Sequence, residues 1–182
     1  MIIRQKPTNK FWNTSYAKDL IVIHKTLGLM PSTLNWLVNP AVQVSANYLV
    51  TKTGEIYQMV ADDKSAWHAG RIYSPSALAR QILKTKPTGG FVNPNRYSIG
   101  IEFEAKAGEL WTDAQIVAGT WLVKKLGITT ILTHHEITSY KPREMTEWRD
   151  EILKRLKDNN DSGKVGQAIK LIEEALLLLK GN

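Results

Sequence analysis

Two periods alternate along the chain, and the places where one gives way to the other mark its elements. Residues 19–26, DLIVIHKT, form a short β-branched run that reads as a strand with His24 near its end. Residues 31–40, PSTLNWLVNP, are bracketed by Pro31 and Pro40 and predict one short helix. The stretch ANYLVTKTGEIYQMV predicts two strands joined by a turn containing Gly54. Residues 74–85, SPSALARQILKT, open with a serine cap and a proline in the first turn, with Leu78 and Ile82 at helical spacing.

YSIGIEFE returns to period two, with Ile99, Ile101 and Phe103 on one face and Gly100, Glu102 and Glu104 on the other. Thr112 and Gln115 make a capping-box pattern before an apolar-periodic helix that ends at Gly127. ITTILT predicts a strand running into His134 and His135, and MTEWRDEILKRLK a helix capped by Thr146. After the polar linker DNNDSG, a last helix carries Val165, Ile169, Ile172, Leu176 and Leu179 as one stripe, a pattern that is usually core. The alternation of strands and helices predicts an α/β fold: a central mixed β-sheet flanked by α-helices, plus a C-terminal helix. Residues 1–158 are expected to form one domain, with the linker and amphipathic helix occupying 159–182.

Composition narrows the chemistry. The 182 residues contain no cysteine, so disulfides and thiolate ligands are excluded and a metal would be held by nitrogen and oxygen. A net charge of +7 favours an anionic partner, such as a cell-wall polymer or an acidic membrane surface. No nucleic acid is expected, because the chain lacks a Lys/Arg cluster or a nucleic-acid motif. The N-terminal residues hold no apolar run long enough for a signal peptide, so the expectation is synthesis in the cytoplasm without one.

Of the four histidines, His24 and His134 stand at the ends of predicted strands, where open α/β sheets place their ligand sites. A single histidine is most often an ordinary hydrogen-bonded residue. Two at strand ends, with His68 and a strand bearing carboxylates in the same chain, fit a zinc site of two imidazoles and a carboxylate.

Four segments carry a resemblance: IVIHKT, SANYLVTKTGEIYQMVADDKSAWHAG, NRYSIGIEFE and LTHHEI. In this order they resemble the zinc amidase family that includes phage-type N-acetylmuramoyl-L-alanine amidases, cytoplasmic amidases of peptidoglycan recycling and peptidoglycan recognition proteins. The resemblance spans roughly residues 20–150. It implies Zn2+ as cofactor, His24 and His134 as ligands, Glu102 as the carboxylate that handles the attacking water, and Lys141 as the charge that stabilises the oxyanion. It also implies that Trp67 and His68, in AWHAG, line the groove. A solvated strand face is the ordinary alternative for such carboxylates and is the expectation for Glu104.

The chain departs from the family pattern at three places. Arg143, which has no acceptor lone pair, stands where an Asp or Cys ligand usually lies, and Glu144, ten positions beyond His134, is nominated as the third ligand. Ala46 stands where phage-type members carry a catalytic tyrosine. Lys25 and Asn47 replace residues that are often histidine or aromatic, and are taken as substrate-binding. The implied function is hydrolysis of the amide between N-acetylmuramic acid and L-alanine in bacterial peptidoglycan, as a phage endolysin acting at the cell wall. A cytoplasmic muropeptide-recycling amidase and a non-catalytic peptidoglycan-binding module of the same fold are the alternatives.

Overall fold

A computed structural model of the chain describes residues 1–87, 92–143 and 145–158; Glu144, the linker and the last helix lie outside the described residues. The strands are β1 (Ile3–Gln5), β2 (Phe11–Asn13), β3 (Leu20–Lys25), β4 (Tyr48–Val50), β5 (Ile56–Gln58), β6 (Lys64–Ala66), β7 (Ser98–Phe103) and β8 (Ile131–Thr133). The helices are α1 (Ser32–Val38), α2 (Ala77–Lys84), α3 (Asp113–Leu126), α4 (His134–Ile137) and α5 (146–158).

Among the described residues six strands form one mixed sheet in the order β1-β5-β4-β7-β3-β8, in which only the β4–β5 hairpin is antiparallel. β2 and β6 pair separately as a short antiparallel ribbon. The apolar run of β3 is explained by its place: flanked by β7 and β8 and covered on both faces, it has no polar side to present.

Period two then sorts its side chains. Ile21 and Ile23 join Ile99, Ile101 and Phe103 in a core closed by α3 and by Trp148 and Ile152 of α5. Trp148 meets Phe103 and Trp111 edge to face at 5.4 and 5.8 Å, contacts worth about 0.5–1.5 kcal/mol each beyond the area they bury. Leu20 and Val22 point the other way, to Leu132, Ala79 and Leu83, while Leu49 packs under Leu34 and Leu37 of α1.

The capping box of α3 is present in full, and Gly127 closes the helix in the left-handed region at φ 69°, where a Cβ would be strained. α2 begins later than its sequence predicts: Ser76 caps it by accepting from Ala79 N, and Pro75 precedes the cap instead of sitting in the first turn. α5 already includes Thr146, the residue expected to cap it. Glu104 is no solvated residue. It is buried, and its two oxygens accept from the backbone N–H groups of Met30 and Lys52, tying β7 to two loops. Among the described residues no helix is long and apolar enough to cross a membrane.

Candidate active site

Register and alternation bring the candidate residues together. His24 pairs with Glu102 across β3 and β7, and Ile23 pairs with Thr133 across β3 and β8. His24 follows Val22 by two residues on β3, and His134 follows Leu132 by two at the end of β8. Both therefore leave the sheet on the α1/α2 side, at the C-terminal ends of adjacent parallel strands. Glu102, two beyond Gly100, lies on that side of β7.

The cavity there has a volume of ≈ 300 Å³ and is lined by His24, His68, Glu102, His134, His135 and Lys141, among others. A second hollow of ≈ 530 Å³ shares His68, His134 and Lys141 and extends past Trp67, Trp12 and Tyr140. The two meet at the histidines, leaving Lys25 and Trp36 at one end and Trp12 and Trp67 at the other.

The Nδ1 atoms of His24 and His134 are 3.0 Å apart. His134 turns its Nε2 to the carbonyl of Ala69 at 3.0 Å, and its ring opens α4. That helix is fixed by a capping box in which Thr133 Oγ1 accepts from Glu136 N and Glu136 Oε2 accepts from Thr133 N. The other oxygen of Glu136 is held by the guanidinium of Arg149, so α5 braces the turn that carries His134. His135 donates through Nδ1 to Lys141 O, which holds the loop bearing Lys141 against the cavity.

Burial dominates the electrostatics. It pushes His24 and His68 well below the ordinary histidine value, aided by their charged and imidazole neighbours, and takes His134 down to about 4 with the help of Lys141. Glu102 is pushed up to about 7 by burial, with Lys141 pulling the other way. One oxygen of Glu102, Oε2, is buried without a hydrogen-bond partner among the described residues, an expensive state for a carboxylate and one that a bound group or water would relieve.

The donors fit zinc. Ala69 O can only accept, so the proton of neutral His134 sits on Nε2 and its Nδ1 presents a lone pair toward His24, the carbonyl-fixed arrangement common to metal-binding imidazoles. The 3.0 Å gap compares with the about 3.3 Å that two nitrogens on one tetrahedral zinc would span. Among the described residues no group of three or more His, Cys, Asp or Glu side chains stands in ligand geometry, and Glu144 lies outside them.

The remaining sequence candidates divide. Lys25 lines the cavity, but its ammonium donates to Glu109 O and lies 5.6 Å over the Trp148 ring. Trp67 walls the second hollow, 5.8 Å from Trp12. His68 reaches both hollows, yet its ring nitrogens face His24 Nε2 at 3.1 Å and Ser98 Oγ at 3.2 Å. Asn47 is not available to substrate: it is fully buried, its Nδ2 donates to Val60 O and Ala61 O, and its Oδ1 accepts from Gly100 N. It is a strut between β4 and β7.

Sequence reasoning missed Ser98, Ala69, Thr133, Glu136 and Arg149. Of these only Thr133 and Glu136 had a visible signal, the T-x-x-E spacing of a capping box around the two histidines.

Comparison with known proteins adds an independent line. The N-acetylmuramoyl-L-alanine amidase family matches residues 14–147. N-acetylmuramoyl-L-alanine amidase A of Achromobacter lyticus is 29% identical over 122 residues, 65% of this chain and 56% of that protein. The 1,6-anhydro-N-acetylmuramyl-L-alanine amidase AmpD of Escherichia coli strain K12 is 38% identical over 74 residues, 41% of this chain and 33% of that protein. The chain thus spans about half the length of the first relative and a third of the second.

Two solved structures share the fold. A selenomethionine derivative of AmpD superposes with a TM-score of 0.63 at 22% identity, covering 85% of this chain and 93% of the other. A mutant endolysin from Bacillus subtilis gives 0.63 at 22%, covering 86% and 99%. With the family matched over most of its length, across a stretch that contains His24, His68, Glu102, His134 and Lys141, the chain belongs to the N-acetylmuramoyl-L-alanine amidase family.

Proposed function

We propose that this chain is a zinc-dependent N-acetylmuramoyl-L-alanine amidase, cleaving the amide between the lactyl group of N-acetylmuramic acid and the L-alanine of the stem peptide in bacterial peptidoglycan. The observation that carries this reading is the buried Oε2 of Glu102, without a partner among the described residues, in the cavity that also receives the facing Nδ1 atoms of His24 and His134. Zinc, when bound, supplies a Lewis acid that polarises a carbonyl and acidifies water.

His24 and His134 hold the ion. Glu144 is proposed as the third ligand: its neighbour Met145 lines the cavity, whereas Arg143 is exposed and faces a different hollow beside Trp148. Glu102 Oε2 takes the proton of the attacking water, and the resulting carboxylic acid returns it to the alanine nitrogen as the C–N bond breaks. A carboxyl group held at about 7 is matched to both steps near neutral pH. The ammonium of Lys141 faces the charge that develops on the carbonyl oxygen. Trp67, the ring edge of His68, and Lys25 are proposed to flank the substrate in the two joined hollows.

The net charge of +7 suits an anionic cell wall, and with the fold shared with an endolysin it supports lytic action at the wall. The 38% identity to AmpD supports a second reading, a recycling amidase acting on soluble 1,6-anhydro muropeptides. Incubation with intact peptidoglycan and, separately, with a soluble 1,6-anhydro muropeptide tests both. Release of N-terminal alanine from the intact polymer supports the lytic role, and cleavage confined to the soluble substrate supports recycling. Cleavage of neither would overturn the amidase reading.

A further inference from the structure

The dipeptide His68–Ala69 touches both candidate ligands, and the hydrogen bonds around it run in one direction. Asn95 Oδ1 accepts from the backbone N–H of His68 and of Ala69, at 3.2 and 2.7 Å, which fixes the segment. The His68 ring lies flat against Gly100 of β7, where an added Cβ would stand 2.4 Å from its Cγ; only glycine leaves room for the ring.

The proton positions follow from groups that cannot donate. Ser98 Oγ has one proton and two partners, and Pro94 O at 2.7 Å is nearer than His68 Nε2 at 3.2 Å, so the proton goes to the carbonyl and the hydroxyl oxygen accepts from His68. His68 Nε2 therefore carries the proton, and Nδ1 of the neutral ring holds a lone pair. His24 Nε2, 3.1 Å from that lone pair, must donate, which leaves the Nδ1 of His24 bare. Ala69 O fixes the same tautomer on His134. In this set each ring has one nitrogen donating, to Ser98 Oγ, to His68 Nδ1 or to Ala69 O, which is the pattern of neutral imidazoles. The 3.0 Å contact between His24 and His134 thus joins two lone pairs with no proton between them.

We infer that His68, held by Ser98, is a positioning residue that sets the tautomer of His24, so that one dipeptide prepares both imidazoles to receive a cation before it arrives. This rests on the metal-dependent reading of the site. His68 does not touch the ion or the substrate's reacting atoms in this account. It acts through His24.

Long-range 15N spectra of the metal-free full-length chain read the tautomers directly. The expected result is a protonated Nε2 and a bare Nδ1 for His24, His68 and His134. A protonated Nδ1 on His24 would overturn the inference whether or not zinc binds. Ser98→Ala removes the acceptor with little change of shape. His68 can then move its proton to Nδ1 and drive that of His24 onto its own Nδ1, between the two ligands. The spectra should show this shift, and zinc affinity, measured by competition with a chelating dye, should fall about 10–100-fold. His68→Gln, which keeps an acceptor on the His24 side, should retain more affinity than His68→Leu. Equal affinities across wild type, Ser98→Ala and both His68 variants, with unmoved tautomers, would also overturn it. If wild type takes up no zinc while its tautomers are as expected, the metal-dependent function fails and the relay stands.

Discussion

His24 Nδ1 and His134 Nδ1 face each other at 3.0 Å across the C-terminal ends of β3 and β8, His24 buried and His134 half-buried, with their lone pairs converging. Left without a cation, that arrangement is repulsive, and the sheet register that imposes it is among the most buried parts of the molecule.

Zinc should bind the purified chain at one ion per molecule and raise its unfolding midpoint, since a ligand that binds only the folded state stabilises it by mass action. His24→Ala and His134→Ala should each weaken binding by more than the roughly 100-fold upper range seen when a residue that only orients a ligand is changed. Glu144→Ala should do the same if Glu144 is the third ligand, and unchanged affinity in that variant would remove it from the set. Calorimetric titration reads all three.

Glu102→Gln keeps the shape of the side chain and removes the base. Turnover should fall about 100- to 10,000-fold with zinc content unchanged. The same variant has a stability signature. Because burial raises the folded pKa of Glu102 to about 7, above its ordinary 4.5, its contribution is fully present below pH 4.5 and lost as pH rises through 7. The metal-free variant should therefore gain on wild type between pH 5 and 8 in urea unfolding; a constant difference across that range would contradict the buried carboxyl.

The histidines act in the opposite sense. His24, His68 and His134 have lowered values, so the stability they contribute is present above about pH 6.5 and lost on acidification, for His134 down through about 4. Three such groups oppose the single Glu102, and the metal-free chain should lose stability as pH falls from 6.5 to 4. A flat urea midpoint over that interval would show that the rings are not buried as neutral species.

Lys141→Met should lower turnover about 100- to 1,000-fold, the usual loss for a donor to a developing oxyanion, with little change in stability. Because the Lys141 charge pulls the Glu102 carboxyl down, its removal should also move the acid limb of the residual activity to higher pH. A pH–rate profile of the variant that keeps the wild-type limb would separate Lys141 from Glu102.

Much of this arrangement was legible in the sequence, for a definable reason. The alternation through Ile99, Ile101 and Phe103 fixes which face Glu102 takes, the continuous apolar run before His24 marks a strand, and the ends of parallel strands fix where a site can be. The three-residue strands β1, β2 and β6 were not legible, because they have no period of their own and exist only through partners about fifty residues away, as Ile3 pairs with Ile56 and Phe11 with Ala66. Asn47 was misread because a polar residue beside a motif looks alike in sequence whether it meets substrate or spans two strands. The roles of Ser98 and Ala69 were invisible, since one is a small polar residue in an apolar strand and the other acts only through its carbonyl.

The most direct measurement is the appearance of N-terminal alanine when the chain is incubated with purified peptidoglycan, after treatment with a chelator and again after zinc is restored. The expected result is release that the chelator abolishes, that zinc restores to wild type, and that zinc does not restore to Glu102→Gln. Release that persists unchanged after complete metal removal, or no release in any condition while the chain still sediments with the polymer, would contradict it.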